Sequence, residues 1–173
     1  MRIRLICLLL ILFAACKYED HTKENSVYFD LATYFKQEAE SLAKSNKPIL
    51  KTVIANNKAE QKKILISNWQ QEFSSFTDAD INKASWRGSF NLTKSDSLET
   101  YIADSDKIPV KKVEISLKNQ KVVGIKIFIA NKNVLYNSND TLTYYPDSLY
   151  EIKKAQKIKL MEGKHYTISG KLD

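Results

Sequence analysis

The sequence predicts an α+β domain: two helices packed on an antiparallel sheet, in the order helix, hairpin, helix, then a meander of about six strands. Three observations predict it. Early apolar residues recur at helical spacing, at Leu31, Phe35, Ala39 and Leu42. From Ser85 onward they alternate instead, as in Val113, Ile115 and Leu117 against Lys112, Glu114 and Ser116. The helical segments come before the long run of strands, which points to an antiparallel sheet with helices on one side.

Each element has a local cause. The first helix starts near Tyr28, with Asp30 or Ser26 able to cap it, and Asn46-Lys47-Pro48 stops it. Ile49 to Ala55 and Gln61 to Ile66 read as a hairpin around Asn56-Asn57-Lys58. Ser67 followed by Gln70 forms a capping box, and Trp69, Phe73 and Phe76 continue a second helix to about Thr77. Trp86, Phe90 and Leu92 then begin the strands, and Leu98 to Ala103 follows Lys94-Ser95-Asp96. Asn119-Gln120 turns the chain into Val123, Ile125, Ile127 and Ile129, the clearest hairpin. Thr141 to Tyr145 is a further strand stopped by Pro146. Ser148 to Glu151 matches another capping box and predicts a helical turn over 148–155. Lys157 to Met161 and Tyr166 to Leu172 close the sheet around Glu162-Gly163.

The chain has 173 residues and a formal charge of +7; 43% of its residues are hydrophobic, with 4 Gly and 3 Pro. That excludes a disordered or polytopic membrane protein and suits one domain. Residues 107–173 hold 13 basic and 6 acidic side chains, and all the bases are lysine. Nucleic acid is not the expected partner, because beyond the leader Arg87 is the sole arginine.

The N-terminus directs the chain elsewhere. Arg2 and Arg4 precede a nine-residue apolar run, Leu5 to Phe13, followed by Ala14-Ala15-Cys16. This is the layout of an export signal, too short to span a bilayer. Phe13-Ala14-Ala15-Cys16 resembles the lipobox of bacterial lipoprotein precursors, with Phe13 where Leu is usual. The resemblance implies cleavage before Cys16 and acylation of its thiol, which would anchor the chain in the cell envelope, on the outer membrane. Cleavage at the same point without acylation is the other reading. The implied organisation is a signal peptide at 1–15, a lipidated tether at 16–26 and one domain at 27–173. Lys17-Tyr18-Glu19-Asp20 is similar to the tetrads after the lipid cysteine in surface lipoproteins of Bacteroidota, and a plain tether is the alternative. The chain as a whole resembles the Lys- and Asn-rich envelope lipoproteins of that phylum.

No catalytic set assembles from the residues. Histidine is limited to His21 and His165, there is no nucleophile elbow, and no glycine-rich phosphate cradle occurs. Asp78, Asp80 and Asn82 copy half a calcium loop, but Lys83 and Ser89 stand where Gly and Glu are needed. They read as turn caps, and no metal or cofactor is expected. Glu72, Asp78, Asp80, Glu114 and Asp147 are the acids available to a carboxylate hydrolase, the lowest-ranked reading. Trp86, Tyr136, Tyr144, Tyr145 and Tyr150 are the candidate ligand-binding residues, a platform for a sugar ring or apolar ligand. The leading expectation is a lipid-anchored, non-enzymatic binding or scaffold module. Its partners would be the membrane through Cys16 and a glycan, lipid or envelope protein. A carrier enclosing an apolar cavity is the alternative.

Overall fold

The computed structural model describes residues 27–55, 58–159 and 161–172. The predicted export signal, Cys16 and the tether lie outside the described residues, as do Asn56 and Asn57 of the first expected turn.

The fold class differs from the α+β expectation. Among the described residues, 52% are strand and 19% helix. They form one continuous antiparallel sheet of nine strands, ordered β2-β1-β9-β8-β7-β6-β5-β4-β3. The strands are β1 (Ile49–Ala55), β2 (Lys58–Ile64), β3 (Phe90–Lys94), β4 (Leu98–Ala103), β5 (Val110–Lys118), β6 (Lys121–Lys132), β7 (Tyr136–Tyr145), β8 (Leu149–Ile158) and β9 (Lys164–Lys171). The meander therefore has seven strands, and the early hairpin joins it, because β1 pairs with β9 from Leu50↔Lys171 to Ala55↔Tyr166.

Among the described residues, helix is limited to α1 (Leu31–Ser45), two single turns, α2 (Trp69–Glu72) and α3 (Ser74–Asp78), and a 3₁₀ turn at Ala84–Trp86. The expected second helix is thus broken at Phe73, and its cap is Asn68, whose Oδ1 accepts from the Gln71 amide at 3.0 Å. The expected helical turn over 148–155 is strand. Pairing with β7 on one side and β9 on the other outweighs a local capping signal.

Other local readings hold. Asp30 Oδ1 accepts from the Thr33 amide at 2.8 Å and starts α1. Asn46 ends it in the left-handed region at φ 47°, ahead of Pro48. Asn119 and Gln120 both have positive φ, 51° and 62°, as a two-residue hairpin turn of right-handed strands requires.

One face of the sheet carries the core. α1 buries Leu31, Phe35 and Ala39 against it. The Phe35 ring lies 4.5 Å from Phe76, 5.1 Å from Tyr144 and 5.4 Å from Phe73, centre to centre. Below these rings sit Val113, Ile115, Ile125, Ile127 and Leu142. Two tyrosines fasten the helical layer through carboxylates. Tyr144 donates to Glu38 of α1, and Tyr150 donates to Glu72 of α2. Glu72 also takes the Lys51 ammonium at 2.7 Å. Burial first, and the acceptor carboxylate second, push both phenols well above the ordinary tyrosine range.

Among the described residues, no helix lies on the other face. That face shows Thr100, Thr141, Thr143 and Thr167, and the pairs Lys112–Glu114 and Lys153–Glu151, each at 2.8 Å. The β2 edge is guarded by Lys58, Lys62 and Lys63.

Candidate functional site

Beyond the end of the aromatic layer, the inner face of the sheet opens into a cleft of about 230 Å³. Its floor is a row of residues in register across four strands. Val110 of β5 faces Ile129 of β6, Ile129 faces Asp140 of β7, and Asp140 faces Lys154 of β8. Pro109, Asn131 and Leu142 extend the floor. The roof comes from α3 and the segment after it, through Ser75, Asp78, Ala79, Lys83 and Trp86.

The polar groups of this cleft are unequally satisfied. The Lys83 ammonium donates to the Asp78 carbonyl at 2.7 Å and stands 4.4 Å from the Trp86 ring centre. Asp140 is different. Its Oδ1 is shielded from solvent and has no hydrogen-bond partner among the described residues. Burial holds its carboxyl above the usual carboxylate range, and the nearby Lys154 charge pulls in the opposite direction. Asp140 and Lys154 face each other without closing an ion pair. A buried acceptor left unmade costs stability, so the fold keeps Asp140 at a penalty.

The five aromatic candidates do not form one platform. Trp86 lines the cleft. Tyr144 and Tyr150 face one another across β7 and β8, but both are fully buried in the core. Tyr145 points to the opposite face, with its ring against Gly124. Tyr136 sits at the far end of β7, where its hydroxyl accepts from the Gln156 side chain at 3.1 Å.

The carboxylates are equally dispersed. Glu72 is committed to Tyr150 and Lys51, Glu114 to Lys112, and Asp147 lies in the β7–β8 turn at φ 56°. The Asp78–Asn82 loop holds the segment ahead of α1: Asn82 accepts from the Tyr28 amide at 3.0 Å, and its own amide reaches Asp80 at 3.3 Å. Among the described residues, no three His, Cys, Asp or Glu side chains gather as metal ligands. None of the described helices is long and apolar enough to cross a membrane.

Sequence reasoning missed Lys154. It reads Asn137-Ser138-Asn139-Asp140 as a turn able to offer hydrogen bonds to a ligand of the aromatic platform, whereas this segment is the first half of β7. A signal was present: Asp140 is in phase with Leu142 and Tyr144, so the same alternation puts an acid on the core face. A larger crevice of about 650 Å³ lies between the β3–β4 and β5–β6 turns. Of its two carboxylates, Glu99 is already bonded to Lys94 and Tyr101, and Asp96 is exposed in the β3–β4 turn.

No protein-family model, curated protein or solved structure matches the chain.

Proposed function

We propose that this protein is a lipid-anchored module of the cell envelope that binds a neutral polyhydroxylated ligand, such as one sugar unit of a glycan, in the cleft beside Trp86. The observation that carries the reading is the unsatisfied Asp140 oxygen facing Lys154. A ligand hydroxyl donates to the first, and a neighbouring hydroxyl accepts from the second. The charged side chains lining the cleft balance, Asp78 and Asp140 against Lys83 and Lys154, which favours an uncharged guest. Val110, Ile129, Leu142 and the indole supply the apolar surface that a ring's C–H face needs. A carrier enclosing lipid between helix and sheet is less well supported, because Phe35, Phe73, Phe76, Tyr144 and Tyr150 fill that space.

Intrinsic fluorescence tests the cleft. Trp69 is buried at 5% exposure, so Trp86 reports on it. Titration with a panel of neutral monosaccharides and short glycans is expected to give a saturable change that is lost in Trp86→Phe. A flat response across the panel would reject the ligand class. Anchoring is tested separately. Cys16→Ala is expected to move the protein from the membrane to the soluble fraction or stall its processing, because the acyl chains would supply the hold. Fractionation unchanged from the parent would reject the lipoprotein reading.

A further inference from the structure

We infer that the adjoining tips of the β6–β7 and β8–β9 hairpins form a docking edge for an anionic lipid bilayer. The β6–β7 turn holds Val134 and Leu135, which are 85% and 65% exposed, the two highest values among the large apolar side chains of the described residues. Beside them, at the end of β8 and in the turn after it, Ile158 and Met161 are also exposed. Folding ordinarily buries such residues, and four together at one end of a sheet make a wedge rather than scattered surface hydrophobes.

The wedge is stiff. Asn133 Oδ1 accepts from the Leu135 and Tyr136 amides at 2.9 and 2.8 Å, and the Asn133 amide donates to the Tyr136 carbonyl at 2.8 Å. The second tip is tied to the first. The Lys159 amide donates to the Leu135 carbonyl at 2.9 Å, and Tyr136 pairs with Ile158. Val134 and Leu135 are therefore held outward, and binding pays little to order them.

Charge selects the partner. Lys132, Lys157, Lys159 and Lys164 surround the wedge, all exposed, and Glu162 is the acid among them. Among the described residues, none of these lysines meets a carboxylate at ion-pair distance. Apolar side chains with lysines behind them match the bilayer interface. The former enter the acyl boundary while the ammonium groups reach anionic headgroups. A second copy fits worse, since an isologous contact would set lysine against lysine. A convex tip also lacks the shape complementarity of a protein interface. The inference does not depend on Cys16, since every residue involved lies between 132 and 164.

The test uses the full chain carrying Val134→Trp, read against the parent chain. Vesicles of phosphatidylethanolamine and phosphatidylglycerol are expected to shift the added indole's emission to shorter wavelength. Brominated acyl chains should quench it, while phosphatidylcholine vesicles should have little effect. Adding Lys132→Glu, Lys157→Glu and Lys159→Glu should weaken this local signal at least about 100-fold in lipid concentration, as each lysine near the surface contributes roughly fivefold. An indole at 134 that ignores phosphatidylglycerol, or that responds equally in the triple-Glu variant, would overturn the proposal. So would a blue shift without vesicles that grows with protein concentration, which would mean self-association. Sedimentation of the whole chain reads the N-terminal anchor and the local quenching reads the tip, so the two can fail independently.

Discussion

Phe35→Ala is expected to destabilise the fold by about 3–5 kcal/mol, the cost of deleting a fully buried aromatic side chain. Phe35 is 0% exposed and its ring meets those of Tyr34, Phe73, Phe76 and Tyr144. These rings come from α1, α3, the junction between α2 and α3, and β7. One truncation therefore loosens the ring cluster that joins α1 and α3 to β7. The neighbours are themselves fixed, Tyr144 through Glu38, so the cavity cannot readily collapse. Thermal unfolding should show Tm lowered by about 10 °C or more. A loss below about 1 kcal/mol would mean that the helices contribute little to holding the sheet.

Gly170→Ala is expected to cost about 3–4 kcal/mol, although it adds a single methyl group. The Tyr150 ring lies directly over Gly170, and a Cβ there would fall inside it. Tyr150 cannot step aside freely. It is fully buried, and its hydroxyl is held by Glu72, which Lys51 fixes in turn. Moving the ring combines overpacking with loss of a hydrogen bond to a charged acceptor. The same substitution in a Tyr150→Leu background should cost much less, a coupling that a double-mutant cycle in urea would measure. Equal costs in the two backgrounds would place the effect in the strand's backbone and not in the ring.

Much of the sheet was legible from period-two alternation, and α1 from apolar residues at spacings of four. Residues 69–77 were misread because Trp69, Phe73 and Phe76 keep helical spacing across two separate turns joined at Phe73. Residues 148–155 were misread because capping is read within one turn, whereas the β8 pairings are made with β7 and β9 folded back on either side of it. The extent of the sheet depended on β1 finding β9 more than a hundred residues later, which no local pattern encodes. At the site, Trp86 was legible as a candidate ligand-binding aromatic, but it was read as strand with Phe90 and Leu92 and lies in a 3₁₀ turn before the strand begins. Asp140 was hidden in a polar run that mimics a turn, and its pairing with Lys154 appears only once β7 and β8 are in register.

Asp140→Asn tests the central claim most directly, because a functional residue and a structural one predict opposite results. Burial raises the Asp140 carboxyl in the folded chain. The folded state therefore favours the protonated acid. Its contribution is present below the unfolded value of about 3.9 and is lost as pH rises through the folded value. At neutral pH the ionised side chain is a liability that asparagine removes. Asp140→Asn is expected to raise stability by about 0.5–1 kcal/mol at pH 7, with the gain shrinking below about pH 4. It should at the same time abolish the saccharide-dependent change in Trp86 fluorescence. A fall in Tm, or a ligand response equal to the parent's, would contradict the assignment of this cleft as the binding site.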